Sequence, residues 1–402
     1  MWDWRALVLV PFLLTSSAAG ASSAPRVDPK TGRVRVLFLG EVASTNWLFL
    51  RWINADPQFI MTRVPLDIEW ISMAEAKRFA RIYLPRSEQA VRSGYDVLVF
   101  EDFTPVVMQV AVLDWFQSCI SQGMGIALIE YVYWGALGAG TNEIGKWTVM
   151  DFYQVFPADV VMNDFPASQG RTFYQVRNPE GPLNLPGLES VPLNRGHHGD
   201  MIPRPGSVVE AVWSGSQTPC MVTGTYGEGH TLQLGQGWDN IPDDTRLHYA
   251  YLIDYIFNQI FCIADLPYPK DLALVHTVRK MFATYQDRRV AAIDLLEFVE
   301  RFGANPTKAV GLLDAMETDH ETAMKLYLAG QYDGARDELA DLLDKFGKVD
   351  DELLEARNRA LFWVYAAEWV TVSAVTMVCG SLLWVLMVRR RFYREVAVTR
   401  AS

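Results

Sequence analysis

Acidic side chains follow three apolar runs that are typical of β-strands, and amide or aromatic side chains stand beside them. The runs are Val34–Gly40, Tyr95–Phe100 and Gly125–Ile129. Parallel sheets bind ligands at the carboxyl ends of their strands. We therefore expect one ligand-binding pocket formed by Glu41, Asn46, Glu101, Asp102, Glu130, Tyr131 and Trp134. Carboxylates beside aromatic rings could hold a cation, a sugar or a peptide. Alternatively, Glu101 and Asp102 only supply the negative charge that is favourable where a helix begins, near Pro105.

A second group of polar residues is the histidine pair His197 and His198, which Gly199 separates from Asp200. Imidazole and carboxylate groups are zinc ligands, so these three polar side chains are a weak candidate site for a divalent metal ion. Adjacent residues seldom bind one ion together, and a histidine pair next to glycine is also typical of a solvated loop. No other cofactor is predicted.

The elements that position these residues alternate between strand and helix. Helices are indicated after the first two runs, at Trp47–Ile53 and Pro105–Gln122, and this alternation predicts a mostly parallel sheet covered on both faces. A loop-rich segment, 151–205, precedes a hairpin of Pro219–Thr225 and Gly229–Gly235. The apolar helix Leu247–Phe261 should then cover the sheet.

Four segments resemble one known family. Tyr95–Asp102 (YDVLVFED) and Gln122–Ile129 (QGMGIALI) are similar to a strand–helix–strand unit of the class I glutamine amidotransferase-like fold. Pro203–Val209 and Pro219–His230 are similar to the closing strands of its amidotransferase-like branch, which is often attached to membrane proteins. The resemblance covers Arg33–Phe261. It implies a flavodoxin-like, doubly wound α/β domain, although its motifs are informative about fold more than about activity.

The resemblance also implies a catalytic cysteine on a strand-to-helix elbow and a histidine two residues before a glutamate. A thiol attacks only as the thiolate and needs such a base. Here the strand Gly125–Ile129 continues into Glu130 without a cysteine, and none of the 6 histidines has this spacing. The nearest thiol, Cys119, lies on the preceding helix, where a buried structural role is expected. We therefore expect that glutaminase activity is absent.

The two ends of the chain indicate a membrane protein. Residues 1–21 have the short apolar run and small-residue cleavage zone of a signal peptide, and the run is too short for an uncleaved anchor. Val370–Val388 contains 19 residues without a charge, enough for a transmembrane helix. Aromatic residues precede this run and Arg389–Arg391 follow it, which predicts an N-terminal domain outside the cytoplasm and a cytoplasmic C-terminus.

The segment before the span has helical patterns only, at Arg279–Phe302, His320–Phe346 and Asp351–Trp369. In the second of these, apolar residues share one helix face: Tyr332, Ala335, Leu339, Leu342, Leu343 and Phe346. We interpret the segment as a helical stalk, with the last helix continuing into the span. The motif Gly330–Ala335 is also similar to half of a tetratricopeptide-type hairpin, a weak signal when it occurs once.

Charge and cysteine content limit the possible partners and the number of disulfides. The net charge of -11 disfavours nucleic acid as a partner. Of the 4 cysteines, Cys379 lies in the span, so the remaining three can form at most one disulfide. The predicted organisation is 1–21 signal peptide, 22–32 linker, 33–264 amidotransferase-like domain, 265–360 helical stalk, 361–388 juxtamembrane and transmembrane helix, and 389–402 basic tail.

Three functions are compatible with this organisation. The first is a membrane-anchored, extracytoplasmic, non-catalytic domain that binds a small ligand or a protein partner. The second is a surface hydrolase or carbohydrate-processing enzyme that uses the strand-end carboxylates or the histidine pair. In the third, the helical stalk is the working part and joins a larger membrane complex through its apolar face.

Overall fold

A computed structural model describes residues 26–41, 47–67, 71–103, 105–129, 151–160, 170–195, 198–302 and 306–399. The predicted signal peptide, 1–21, lies outside the described residues. Within them the chain forms an α/β domain, a bundle of helices packed against that domain, and a long apolar C-terminal helix.

The centre of the α/β domain is a mixed sheet of eight strands with the order β2-β1-β3-β4-β10-β9-β8-β6. The first five strands in this order run parallel, whereas β9, β8 and β6 are antiparallel to their neighbours. A separate two-stranded ribbon pairs β5 with β7. The strands are β1 Val34–Gly40, β2 Phe59–Pro65, β3 Val97–Glu101, β4 Gly125–Ile129, β5 Ala158–Val160, β6 Tyr174–Val176, β7 Met201–Pro203, β8 Val208–Trp213, β9 Pro219–Tyr226 and β10 Gly229–Leu234.

Helices cover both faces of this sheet, as the alternating pattern predicts. The helices of the domain are α1 Trp47–Ala55, α2 Met73–Tyr83, α3 Glu88–Gly94, α4 Val110–Ser121, α5 Asp243–His248 and α6 Leu252–Ile263. Successive residues of β1 point to opposite faces, so Phe38 packs in one core with Phe257 of α6 and Leu37 in another with Phe116 of α4. Each face of the sheet is therefore a buried apolar layer.

Three further helices form the bundle: α7 Leu272–Arg301, α8 Thr307–Leu328 and α9 Tyr332–Thr399. The prediction of one helix over His320–Phe346 is wrong, because α8 ends at Leu328 and the chain reverses through Gly330, whose φ of +73° is a conformation that glycine adopts easily. The predicted apolar face of α9 is confirmed. Its residues Ala335, Leu339, Leu342 and Phe346 are fully buried against α7 and α8.

The last helix, α9, has 68 residues and so a length of about 100 Å at 1.5 Å per residue. Its first part packs in the bundle, and its later part, including 370–388, has exposed apolar side chains. The predicted continuity of the helix from Asp351 through Val388 is confirmed. This helix is long and apolar enough to cross a membrane.

Candidate functional site

The carboxyl ends of β1 and β3 meet through an unusually close backbone contact. Gly40 lies opposite Glu101 in the parallel register, and the amide of Glu41 donates to the Glu101 carbonyl oxygen at 2.9 Å. Gly40 has φ +133°, and a Cβ atom there would lie 1.7 Å from that oxygen. Only glycine allows this approach, which places Glu41 directly beside the end of β3.

The buried carboxylate of Glu101 ties the end of β3 to the loop that follows β10. Its side chain is 0% exposed, and Oε1 accepts a hydrogen bond from the backbone amide of Trp238 at 3.0 Å. The Trp238 indole is itself buried and donates to Oε1 of Gln259 on α6 at 3.2 Å. The buried Glu101 carboxyl group therefore holds the loop after β10 against the end of β3.

Three other carboxyl groups converge at this edge of the sheet. Glu41, Asp102 and Asp239 each have an oxygen within 4.8 Å of an oxygen of the other two. Asp102 has φ 43°, which turns the chain sharply after β3, and its amide donates to the carbonyl of Ile129 at the end of β4. A Cβ atom at Gly237 would lie 2.4 Å from Asp239 Oδ1 and 2.6 Å from Asp102 Oδ2, so any other residue there would displace these two carboxyl groups. We call Glu41, Asp102 and Asp239 the carboxylate cluster.

Burial and neighbouring groups together set how readily this cluster ionises. Burial raises the pKa of Asp239, while the nearby Arg246 and a hydrogen bond with Asp102 oppose that rise. A hydrogen bond between two carboxyl groups requires that one of them carries a proton. Ionisation of both carboxyl groups would place two negative charges in close contact, which is unfavourable.

Arg246 borders the cluster, but backbone carbonyls occupy much of its donor capacity. Its guanidinium donates to the carbonyls of Trp238, Asp239 and Ile241, and its Cζ lies 5.3 Å from the centre of the Phe49 ring. Burial lowers the pKa of Arg246. Arg246 thus holds the loop after β10 in place and only partly compensates the negative charge of the cluster.

The carboxylate cluster can do two kinds of chemistry. Three carboxylate oxygens that lie within 4.8 Å of one another suit a hard cation such as Ca²⁺ or Mg²⁺, or an ammonium group. A carboxyl group with a raised pKa next to an ionised one can also act as an acid and base pair. Both uses need the negative charge that the fold concentrates here.

The thiols of the α/β domain are poor candidates for nucleophiles. Cys119, Cys220 and Cys262 are free, and burial raises the pKa of each thiol, that of Cys262 to about 12. A raised pKa disfavours the thiolate form that a nucleophile requires. Cys119 lies in α4 with 2% of its surface exposed, the buried structural position expected from the sequence.

His198 is buried and does not lie in a solvated loop. His198 is 3% exposed and stacks on Trp213 with ring centres 4.2 Å apart. Its Nδ1 lies 3.4 Å from Oδ1 of Asp200, which accepts a hydrogen bond from Thr218. Burial alone would raise the pKa of Asp200, but the contacts with His198 and Thr218 outweigh it and lower that pKa. Among the described residues no third metal-ligand side chain joins this pair.

Of the residues predicted to line the pocket, the structure brings Glu41, Glu101 and Asp102 to the same edge. Five other predicted residues lie outside the described residues: Asn46, Glu130, Tyr131, Trp134 and His197. Sequence reasoning missed Asp239 and Arg246. The signal for Asp239 was its position shortly after β10, the same kind of strand end that pointed to Glu41.

Comparisons with known proteins give only distant similarities. No protein-family model matches the chain, and no curated protein matches it. Two solved structures described as cytoplasmic proteins of Salmonella typhimurium are similar over 57% of this chain and 98% and 99% of their own, with 14% and 17% identity and TM-scores of 0.44 and 0.45. A β-galactosidase from Bacillus circulans sp. alkalophilus is similar over 58% of this chain and 31% of its own, with 11% identity and a TM-score of 0.31. These similarities are too distant to assign a family or an activity.

Proposed function

We propose that this protein is a membrane-anchored binding protein whose α/β domain binds a cationic ligand at the carboxylate cluster. The observation that carries the proposal is the convergence of Glu41, Asp102 and Asp239, whose ligand oxygens lie within 4.8 Å of one another. A cation that bound there would relieve the mutual repulsion of the ionised carboxylates.

The domain is proposed to be flavodoxin-like and related to the class I glutamine amidotransferase-like fold, without glutaminase activity. The parallel strands β2, β1, β3, β4 and β10, covered on both faces, support this fold. The chain has glutamate, not cysteine, immediately after β4, and burial disfavours the thiolate of Cys119. These features disfavour acyl transfer through a cysteine and leave the carboxylates as the candidate functional groups at the strand ends.

The apolar segment 370–388 is proposed to cross a membrane, with the α/β domain outside the cytoplasm and residues 389–402 inside. The exposed apolar surface of this segment supports the span, and the arginines that follow it support the orientation. Protease added to intact cells should digest the α/β domain and spare an epitope tag placed after Ser402. If the tag is digested and the domain is spared, the orientation is the reverse.

The binding proposal is tested by calorimetric titration of the full chain, held in lipid nanodiscs, with Ca²⁺, Mg²⁺, Mn²⁺ and alkylammonium ions. We expect saturable binding of at least one cation, with an affinity that rises as pH increases because protons and cations compete. Glu41→Gln and Asp239→Asn should each weaken binding about tenfold or more, as loss of one charged ligand of a partly buried site implies. The control Asp243→Asn removes an exposed carboxylate outside the cluster and should leave binding unchanged. Absence of saturable binding for every cation tested would refute the proposal.

A second candidate function is a surface hydrolase or carbohydrate-processing enzyme. The specific observation in its favour is the raised pKa of Asp239 beside Asp102, because such a pair can donate and accept a proton in one reaction. Hydrolysis of chromogenic glycosides by the full chain, lost in Asp239→Asn and kept in Asp243→Asn, would favour this candidate. Cation binding without hydrolysis would favour the first.

A further inference from the structure

A cavity of about 620 Å³ lies on the face of the domain formed by α2 and α4, and its residues belong to neither the carboxylate cluster nor the histidine pair. We call it the α2–α4 pocket. Its volume falls within the range of about 300–1,000 Å³ that is usual for small-ligand sites. The residues that line it include Lys77, Arg81, Leu84, Arg86, Val107 and Trp115.

The inner wall of the α2–α4 pocket is apolar and is held in place by the domain core. Leu84 is 8% exposed and Val107 is 5% exposed, and both belong to the core on that face of the sheet. Met108 and Trp115 add a flexible thioether and an indole to the wall, side chains that adapt well to a flat or branched apolar ligand.

The rim of the pocket is positively charged. Lys77 and Arg81 come from α2 and Arg86 from the segment after it, and all three side chains are exposed. None of the three has a carboxylate partner among the described residues, whereas Arg92 of the neighbouring α3 pairs with Glu88. This excess of positive charge occurs in a protein whose net charge is -11, so it is a local feature.

The N-terminal end of α4 adds to the positive electrostatic potential at the pocket rim. Gln109 is the N-cap of this 12-residue helix, lines the pocket and makes no side-chain cap hydrogen bond. The first amides of a helix lack partners within the helix, and the helix dipole favours an anion near them. Positive charge therefore approaches the pocket from α2, from Arg86 and from the start of α4.

From the apolar wall and the basic rim together we infer that the α2–α4 pocket binds a small, soluble amphipathic anion. Its apolar body would lie against Leu84, Val107 and Trp115, and its carboxylate or phosphate would face Lys77, Arg81 and Arg86. This ligand differs in charge from the cation proposed for the carboxylate cluster, and the inference does not depend on that proposal.

The test is calorimetric titration of the full chain in neutral-lipid nanodiscs with 1-naphthaleneacetate, with empty nanodiscs subtracted. Two probes with the same rings and a different head group complete the series: the neutral 2-(1-naphthyl)ethanol and the cationic 2-(1-naphthyl)ethylammonium. We expect the affinity to fall in the order anion, alcohol, ammonium, and the affinity for the anion to fall as salt is added, because salt screens exposed charges. Equal affinities for the three probes, or no saturable binding of the anion, would overturn the inference.

Substitutions distinguish the contribution of the charged rim to binding from that of the apolar wall. Each exposed charge contributes modestly, so Arg81→Gln with Arg86→Gln should weaken binding of the anion about two- to thirtyfold and leave binding of the alcohol unchanged. Ala80→Phe fills part of the pocket and should lower the affinity for both the anion and the alcohol. The matched control is Arg78→Gln, an exposed arginine of α2 that does not line the pocket and should change neither affinity. A loss in Arg78→Gln equal to that of the double variant would also overturn the inference.

Discussion

Nη1 of Arg279 in the bundle donates to Oδ1 of Asp254 in the α/β domain at 2.5 Å, and both side chains are at most 1% exposed. The other oxygen of Asp254 lies 2.6 Å from Nδ1 of His276, and Nε of Arg279 lies 3.7 Å from Asp56. Tyr327 donates to Asp56 at 2.9 Å. Burial opposes the charge of Arg279, but Tyr327 and the two aspartates outweigh it and raise its pKa. The bundle and the α/β domain therefore share one buried, charged contact.

Replacing Arg279 with methionine should strongly destabilise the protein. The change leaves Asp254 and Asp56 as buried carboxylates without their cation, which typically costs about 3–5 kcal/mol in the free energy of unfolding. Urea unfolding of the full chain, followed by near-ultraviolet circular dichroism, measures this loss. The control Arg289→Gln removes an ion pair whose side chains are 41% and 47% exposed, and it should cost about 1 kcal/mol or less. Equal effects of the two changes would show that the buried contact is not structurally important.

Gly40→Ala should disrupt the contact between the ends of β1 and β3 beside the carboxylate cluster. The new Cβ atom would lie 1.7 Å from the Glu101 carbonyl oxygen at a residue with φ +133°, so the ends of β1 and β3 must separate, at a cost of about 3 kcal/mol or more. The variant should also lose cation binding, since Glu41 moves with β1. Gly94→Ala is the matched control, because nothing lies within 4 Å of the added atom, and its melting temperature should be close to that of the wild type. A wild-type melting temperature in Gly40→Ala would show that the two strand ends can separate easily.

The effect of Asp239→Asn on the free energy of unfolding should depend on pH. The pKa of Asp239 is raised in the folded protein, so the folded state holds the proton more tightly than the unfolded state. The contribution of Asp239 to stability is therefore fully present below its unfolded pKa of about 3.9 and is lost as pH rises through its folded pKa. Asparagine does not titrate.

The variant should consequently match the wild type at acid pH and become more stable than it near neutral pH, while it binds cations more weakly. Chemical unfolding between about pH 3 and pH 7 measures the difference in the free energy of unfolding at each pH. A variant that is less stable than the wild type near neutral pH would show that the ionised carboxylate stabilises the fold. Asp243→Asn, an exposed change, should show no comparable trend with pH.

Leu339→Ala should destabilise the bundle. Leu339 is fully buried among α7, α8 and α9, and a cavity at such a site costs about 2–5 kcal/mol. Leu354 lies on the same helix with 40% of its surface exposed, and Leu354→Ala should cost about 0.5 kcal/mol or less. Thermal unfolding of the two variants provides the comparison. If both leucines have the same effect, the bundle is not packed as described.

Local patterns in the sequence predicted much of the α/β domain but not all of it. The apolar runs of β1 and β4 have the predicted bounds, because strands buried on both faces are continuously apolar. Strand β2, Phe59–Pro65, was not predicted, because it lies at the edge of the sheet and contains the polar residues Thr62 and Arg63. The long helix predicted over His320–Phe346 failed at Gly330, where one left-handed residue reverses the chain.

The residues of the candidate site were likewise only partly predictable from local sequence patterns. The positions of Glu41, Glu101 and Asp102 follow from strand ends that are visible in the sequence. Asp239 follows a strand too, but its place beside Asp102 depends on β10 pairing with β4, a contact between segments about 100 residues apart. No local pattern encodes that pairing, because it depends on which strands the whole sheet brings together.

The sequence by itself determined the apolar strands, the acidic residues at their ends and the long apolar helix at the C-terminus, because these depend on side-chain type and local periodicity. Only the tertiary structure decided that Asp239 completes the carboxylate cluster and that His198 is buried against Trp213. It also decided that Arg279 joins the bundle to the α/β domain. Each of these features depends on burial beside residues distant in sequence, and burial determines both the charge a group carries and the strength of its contacts.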